Sequence, residues 1–241
     1  MTKLSDTAMV LAAGLGTRMR PLTLTKPKPL QVVGGKTMLD HALDRLVEAG
    51  MPRAVVNTHY LADQIHDHLK SRRDIEIIIS YEPDLLDTGG GIKNALHHFG
   101  DKPFFALNAD LPWLDAVPPS LQRMADAWDA TRMDVLLLVM ATKRARGFSA
   151  DGDFMMKPDG RLWRKDALKP RPFVMISAQI IKPDLLVGID EKSFSNSKIW
   201  NEAEVQQKLY GIDHAGSCYH VGTPQDLEHA NALLASGQGW G

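Results

Sequence analysis

The stretch Met9–Pro29, MVLAAGLGTRMRPLTLTKPKP, limits what this chain can become more than any other. It begins as a short apolar run, Met9-Val10-Leu11-Ala12-Ala13, with the length and character of a buried strand. Gly14 and Gly16 end the run, and glycine allows a tight bend that leaves backbone N–H groups exposed. Thr17, Arg18 and Arg20 follow, and Lys26 and Lys28 stand farther on among Pro21, Pro27 and Pro29. A turn of open amides followed by cations suits a polyphosphate. The prolines predict an extended, pre-set path for the two lysines. Neither common phosphate pattern is present. No G-x-x-x-x-G-K-[ST] spacing occurs, and a G-x-G-x-x-G reading has Met19 where the third glycine belongs. Spacing alone also allows a strand followed by a merely basic surface loop.

Composition keeps the charge argument local. Lys and Arg total 28 against 29 Asp and Glu, a formal net charge of −1, so no general field draws the chain to nucleic acid or an anionic membrane. Basic character held in one loop suits a small anionic ligand. One cysteine, Cys218, excludes an internal disulfide and agrees with a reducing cytosol. The opening MTKLSDT lacks the apolar segment of a secretory signal, and no apolar stretch approaches a membrane span, so the expected location is the cytoplasm.

Short apolar runs alternate with helix-period segments over roughly the first 140 residues, the pattern of an α/β parallel sheet. Thr37 with Asp40 predicts a helix start, with Leu39, Ala42, Leu43 and Leu46 on one face and Gly50 as the stop. Ala54-Val55-Val56 reads as the second strand, with Asn57, Thr58 and His59 at its carboxyl end, where open α/β sheets bind ligands. A helix from Leu61 to Leu69 and a strand over Ile75–Ile79 follow. Gly89, Gly90 and Gly91 in SYEPDLLDTGGGI predict a loop, since three glycines make poor helix interior and favour close backbone approach. Pro103–Leu107 reads as a strand closing on Asn108-Ala109-Asp110, which places Asp110 at the sheet's carboxyl edge or makes it a cap for the loop containing Pro112. Leu121–Trp128 reads as a helix and Val135–Met140 as a strand buried on both faces. Beyond it, runs near Phe154–Met156 and Arg161–Trp163 flank a turn at Pro158-Asp159-Gly160 and predict an antiparallel insertion. Pro172–Ile180 reads as a strand and Ile199–Leu209 as a helix. Thr223, Pro224 and Asp226 mark the start of a final helix with Leu227, Ala230 and Leu234 on its apolar side.

LAAGLGTRMRPLTLTKPKPL resembles the signature of the sugar-1-phosphate nucleotidyltransferases, L-A-A-G-x-G-T-R-[ML]-x-P-L-T-x(n)-P-K-P-L, at nearly every defined position. The resemblance implies a single Rossmann-like (GT-A-like) α/β domain over 1–241, with a mixed, mostly parallel sheet flanked by helices. Residues from about 9 to 140 would form the nucleotide-binding half and from about 141 to 235 the sugar-phosphate half. Leu11, Ala13, Gly14, Gly16 and Thr17 would wrap the triphosphate. Arg18 would lie over the β- and γ-phosphates, and Lys28 would neutralise charge at the reacting α-phosphate. Asn57, Thr88, Gly89, Gly90 and Asn108 complete the implied nucleotide contacts, and Glu82 stands where relatives read the base edge. A carboxylate only accepts hydrogen bonds, so Glu82 would take the N3–H of uracil or the paired donors of guanine.

Asp110 matches the family's magnesium-binding aspartate, so Arg18, Lys28 and Asp110 are the expected catalytic set, with Mg²⁺ or Mn²⁺ as the metal. Many relatives read W-x-D-V-G-T where this chain has Tyr219-His220-Val221-Gly222-Thr223. His220 therefore replaces a carboxylate ligand, and a nitrogen donor suits Mg²⁺ less well. A one-carboxylate Mg²⁺ site, recruitment of Mn²⁺, weakened catalysis and a direct contact of His220 with phosphate all follow as options. Gly152-Asp153-Phe154 and the D-T-G-G-G block resemble the muramate-1-phosphate uridylyltransferases, with Asp87 in place of a glutamate. Asp153 is the implied sugar contact. Lys143, Arg144 and Arg146 form either a solvated face or a receptor for the sugar's phosphate. The expected partners are a nucleoside triphosphate and a sugar 1-phosphate, UTP and N-acetylmuramate 1-phosphate first, bound by a monomer or homodimer without nucleic acid or membrane. The alternatives are a mannose-1-phosphate guanylyltransferase and, in another class, a regulatory subunit that senses nucleotide without turnover.

Overall fold

The computed structural model describes residues 3–148, 151–164, 170–237 and 239–240. Seven strands form its central sheet: β1 Thr7–Leu11, β2 Arg53–Thr58, β3 Glu76–Tyr81, β4 Phe104–Asn108, β5 Val135–Ala141, β6 Phe173–Ile181 and β7 Leu209–Asp213, in the spatial order β7-β5-β6-β4-β1-β2-β3. β1 pairs in parallel with β2 and β4, β2 with β3, and β7 with β5. β6 alone in this sheet runs against its neighbours β4 and β5. The sheet is thus the mixed, mostly parallel one that the sequence predicts.

Continuous apolar runs are needed because both faces are covered. Side chains alternate along each strand, so Ala8 and Val10 of β1 enter one core while Met9 and Leu11 enter the other. On the first face lie α1 (Met38–Glu48), α2 (Ala62–Leu69) and α4 (Ser120–Ala127); on the second lie α3 (Asp87–Asn94) and α5 (Asn196–Val205). A smaller core of Met19, Met38, Tyr219, Val221 and Trp240 seats α6 (Pro224–Ala235). The predicted caps form. Thr37 Oγ1 accepts the Asp40 N–H, and Thr223 and Asp226 make a reciprocal capping box. The insertion is a two-stranded antiparallel unit pairing Met155–Met156 with Leu162–Trp163. Among the described residues no helix is long and apolar enough to cross a membrane.

Three expectations fail, each for a local reason. The triple glycine is the interior of α3 and not a loop. A Cβ on Gly89 would stand 2.5 Å from the Phe194 ring, one on Gly90 2.3 Å from the Lys192 carbonyl, and one on Gly91 2.5 Å from Asn57 Nδ2. Close approach is what the glycines supply, and the helix keeps its hydrogen bonds while doing so. Lys28 opens a 3-10 turn over Lys28–Leu30, so the extended path stops at Pro27, before Lys28. The helix predicted to reach Leu209 stops at Val205, because Gln207 adopts φ +57° and turns the chain back so that Leu209 pairs with Val135.

Gly90→Ala tests the close-approach argument. In an open helix this change adds up to about 1 kcal/mol of stability. Here the methyl meets a backbone carbonyl, so a loss of roughly 1–3 kcal/mol is expected in chemical denaturation. A melting temperature at or above wild type would contradict the packing described.

Candidate active site

A cavity of about 530 Å³ opens at the carboxyl ends of β1, β2 and β4. β1 lies at the switch point of the sheet, with β2 and β3 added on one side and β4 on the other, where a crevice forms outside the strand ends. Leu11, Ala12, Ala13, Gly14, Gly16, Thr17 and Arg18 form one wall. Lys28, Asn57, Thr88, Asn108 and Asp110 also line it.

The wall is held from behind. The Asn57 Oδ1 accepts the Ala12 N–H at 2.7 Å, fixing the point where β1 passes into the glycine turn. Gly16 has φ +60°, and its carbonyl accepts from Thr23 Oγ1 at 2.8 Å. A Cβ there would sit 3.0 Å from both Lys28 Cβ and Thr23 Cγ2. Gly14 differs: nothing lies within 4 Å of a Cβ built on it, so protein packing does not require glycine there, and the space it leaves belongs to the cavity.

Lys28 is buried, and its Nζ donates to Asp110 Oδ2 at 2.7 Å, with the Asp110 side chain 42% exposed. Burial works against the Asp110 charge, yet the Lys28 ammonium, with His220 and Arg18 nearby, holds the carboxyl below its ordinary range. The strand end carrying Asp110 is braced by β6. Its register shifts between Met175 and Gln179, Ser177 adopts φ +51°, and Ser177 Oγ donates to the Asn108 carbonyl at 2.9 Å. Bulges of this kind re-aim backbone beside functional sites.

Of the residues expected on the nucleotide, Leu11, Ala13, Gly14, Gly16, Thr17, Arg18, Lys28, Asn57, Thr88 and Asn108 all line this cavity. Glu82 does not. It is fully buried, and its oxygens accept from Asn57 Nδ2 at 2.7 Å and from the Leu86 N–H at 3.1 Å. Burial pushes its carboxyl upward against these two donors. Gly89 and Gly90 lie outside the lining as well. Their N–H groups donate to the Phe194 carbonyl at 2.8 and 3.0 Å and are not offered to a ligand. Asp153 lies outside the cavity wall, and its Oδ2 accepts the Met175 N–H at 3.0 Å, so its carboxylate braces β6. Arg144 is paired with Asp213 at 2.6 Å.

His220 stands beside the site without lining it. Its Nδ1 meets the Gly147 carbonyl at 3.0 Å, and a carbonyl only accepts, so Nδ1 carries the proton. The cavity also contains residues that sequence reasoning passed over: Met19, Pro29, Leu85, Asp87, Ser193 and Gly222. Asp87 had a signal, since it opens the D-T-G-G-G block, and it adopts φ +59° at the start of α3. Gly222 was visible only as a neighbour of His220 in the stretch compared with W-x-D-V-G-T, yet Arg18 Nη1 would lie 3.2 Å from a Cβ placed on it. Ser193 gave none. Burial pushes the Cys218 thiol up to about 12, so it is no nucleophile.

Among the described residues no three His, Cys, Asp or Glu side chains gather to hold a metal on their own. Asp110 offers one hard carboxylate at the cavity. With oxygens from a phosphate ligand and water, that donor set fits Mg²⁺, which takes one or two carboxylates in such sites.

The model of the MobA-like NTP transferase domain matches residues 8–213. The chain is a nucleotidyltransferase of that family. It is 41% identical over 240 residues to the N-acetylmuramate alpha-1-phosphate uridylyltransferase of Caulobacter vibrioides, covering 98% of this chain and 99% of that protein. It is 32% identical to the enzyme of the same name from Neisseria meningitidis serogroup B, over 95% and 98% of the two chains. In fold it is similar to a UDP-glucose pyrophosphorylase solved with UDP-glucose, with a TM-score of 0.76 at 19% identity, covering 98% of this chain and 100% of that one.

For this nucleotidyltransferase the Lys28–Asp110 pair has a pH signature. The folded carboxyl sits below its unfolded value, so the pair contributes stability above that unfolded value, about 3.9 for Asp, and loses it as pH falls through the lower folded one. The stability difference between wild type and Asp110→Asn should be flat above about pH 5 and shrink below about pH 4. Thermal melts across that range measure it, and a difference that grows on acidification would refute the pairing.

Proposed function

We propose that the chain transfers a uridylyl group from UTP to N-acetylmuramate 1-phosphate, giving the UDP-sugar and pyrophosphate. What carries the reaction class is the meeting of the glycine turn, Arg18, Lys28 and Asp110 around one cavity, in the arrangement two polyanions need. The substrate pair is supported by the near-full-length likeness to proteins named for that reaction.

An oxygen of the sugar 1-phosphate attacks the α-phosphorus, a new P–O bond forms, and the bond from the α-phosphorus to the β-phosphate oxygen breaks. The nucleophile is already ionised at neutral pH, so no general base is needed. Catalysis then consists of bringing like charges together and stabilising charge at the α-phosphate. The amides of the glycine turn bind the triphosphate, and Arg18 holds its outer phosphates. Lys28, buried and lining the cavity, places a positive charge at the reacting phosphate when it leaves Asp110. Mg²⁺ held through Asp110 would supply Lewis-acid charge neutralisation on phosphate oxygens. Such a product belongs to the recycling of cell-wall sugar in the cytoplasm.

The test is pyrophosphate release with Mg²⁺, pairing UTP, GTP, CTP and dTTP with the 1-phosphates of N-acetylmuramate, mannose and glucose. The highest kcat/KM is expected for UTP with N-acetylmuramate 1-phosphate, falling roughly 10²–10³-fold in Lys28→Ala. A best rate with GTP and mannose 1-phosphate would keep the chemistry and replace both substrates. Silence on every pair, with nucleotide still bound, would replace the enzyme by a sensor.

A further inference from the structure

From Gly14 to Leu22, along the glycine turn, Met19 is the one buried residue. It is 0% exposed between Arg18 and Arg20, which both stand in the open. Met19 closes the 3-10 turn Thr17–Met19, its N–H donates to the Gly16 carbonyl at 2.9 Å, and it lines the cavity. Methionine is unbranched and adaptable, so its place is set by what packs around it. Met19 enters neither of the two cores that cover the sheet. It belongs to the smaller one, with Val33, Met38, Tyr219, Val221, Ala230 and Trp240.

Trp240 is the largest side chain of that group. It is 0% exposed, and its Nε1–H donates to the Ala230 carbonyl at 3.2 Å, so its polar atom is satisfied. The His41 ring stands tilted beside it with centroids 6.5 Å apart, and His41 Nε2 meets the Val33 carbonyl at 2.8 Å. α6 closes the group from another side. Asn231 Oδ1 accepts the Gly34 N–H at 2.8 Å, and Asn231 Nδ2 donates to the Val32 carbonyl at 3.1 Å. Tyr219 and Val221 lead into Gly222, where a Cβ would lie 3.2 Å from Arg18 Nη1. One small core therefore holds both the neighbour of Arg18 in the turn and the segment that Arg18 passes. Trp240 itself does not line the cavity, so whatever it does there passes through these others.

We infer that Trp240 is a positioning residue for the nucleotide. By filling the small core it fixes Met19 and the Tyr219–Gly222 segment, and so sets how Arg18 stands against Gly222. The inference goes beyond the proposed nucleotidyl transfer and draws on it for a kinetic readout only.

The deciding measurement needs no ligand. The amides of Met19, His220 and Gly222 are hydrogen-bonded to Gly16, Arg146 and Asp226, so residue-resolved hydrogen exchange reports how firmly each is held. Trp240→Leu keeps the place apolar and removes the indole, Trp240→Phe keeps an aromatic ring, and Ile65→Ala weakens the first core while leaving the small one whole. In Trp240→Leu the three amides should exchange about tenfold faster than in wild type or more, with Trp240→Phe between the two. Ile65→Ala should leave them at the wild-type rate even where its melting temperature falls as far. Calorimetric Kd and KM for UTP should rise about 10–100-fold in Trp240→Leu, less in Trp240→Phe, and stay unmoved in Ile65→Ala.

Equal acceleration in Ile65→Ala would reduce Trp240 to general stability and overturn the inference. So would a Trp240→Leu protein with the exchange rates and UTP affinity of wild type. If Trp240→Leu does not fold, Trp240→Phe decides by the same comparison with Ile65→Ala. A wild type that binds no UTP would defeat the proposed function, while the exchange rates, measured without ligand, would still decide the role of Trp240.

Discussion

A buried ammonium must have a partner. Lys28 finds its partner in Asp110, at the end of a strand 82 positions away in the chain. Removing one member of such a pair leaves an uncompensated charge, which is far costlier than the net worth of the intact pair. The rest of the site follows from making that meeting possible. β1 and β4 lie side by side in parallel, so the loops leaving them emerge on one edge. The 3-10 turn at Lys28 brings the side chain inward beneath Gly16, and the bulge at Ser177 holds the Asn108 carbonyl so that Asp110 stands at the rim. The glycine turn, the cation and the carboxylate are thus consequences of strand order as much as of residue type.

What the sequence made legible was whatever has a short-range cause. Apolar runs mark the strands because both faces of the sheet are covered, and Thr37 with Asp40 or Thr223 with Asp226 mark helix starts because the capping bonds span three residues. Lys28 and Asp110 were legible through their motifs. The misses have long-range causes. Three consecutive glycines weaken a helix by propensity, and only the nearness of Phe194, Lys192 and Asn57 explains why α3 carries no side chain at any of the three positions. Gln207 gives no local warning that it reverses the chain before β7. Ser193 reaches the cavity because the Phe194 N–H donates to the Leu86 carbonyl and its own carbonyl caps α3, and nothing near residue 193 encodes that pairing.

Glu82 shows how a resemblance can name a position without fixing its depth. The motif placed a carboxylate next to the nucleotide pocket, and the structure does so too. One layer of depth separates it from that pocket: Glu82 stands at 0% exposure, and the 2% of Asn57 that remains open is what the pocket meets. Depth is set by where α3 passes, which spacing within the block does not encode.

β6 is the strand of the central sheet that runs backward, and this has a consequence for how the fold can vary. β5 climbs toward the edge that carries the cavity, and β6 descends from it. The chain leaves the sheet at Ala141 and re-enters it at Phe173 on that same edge. A parallel connection must span the sheet and is tied to its thickness. A connection that returns beside its own origin has no such length to satisfy. Its exposed turns can be lengthened or exchanged while the strand registers stay unchanged, provided Phe154 and Leu162 keep their places in the second core. One nucleotide-handling edge could in this way be combined with many different acceptors.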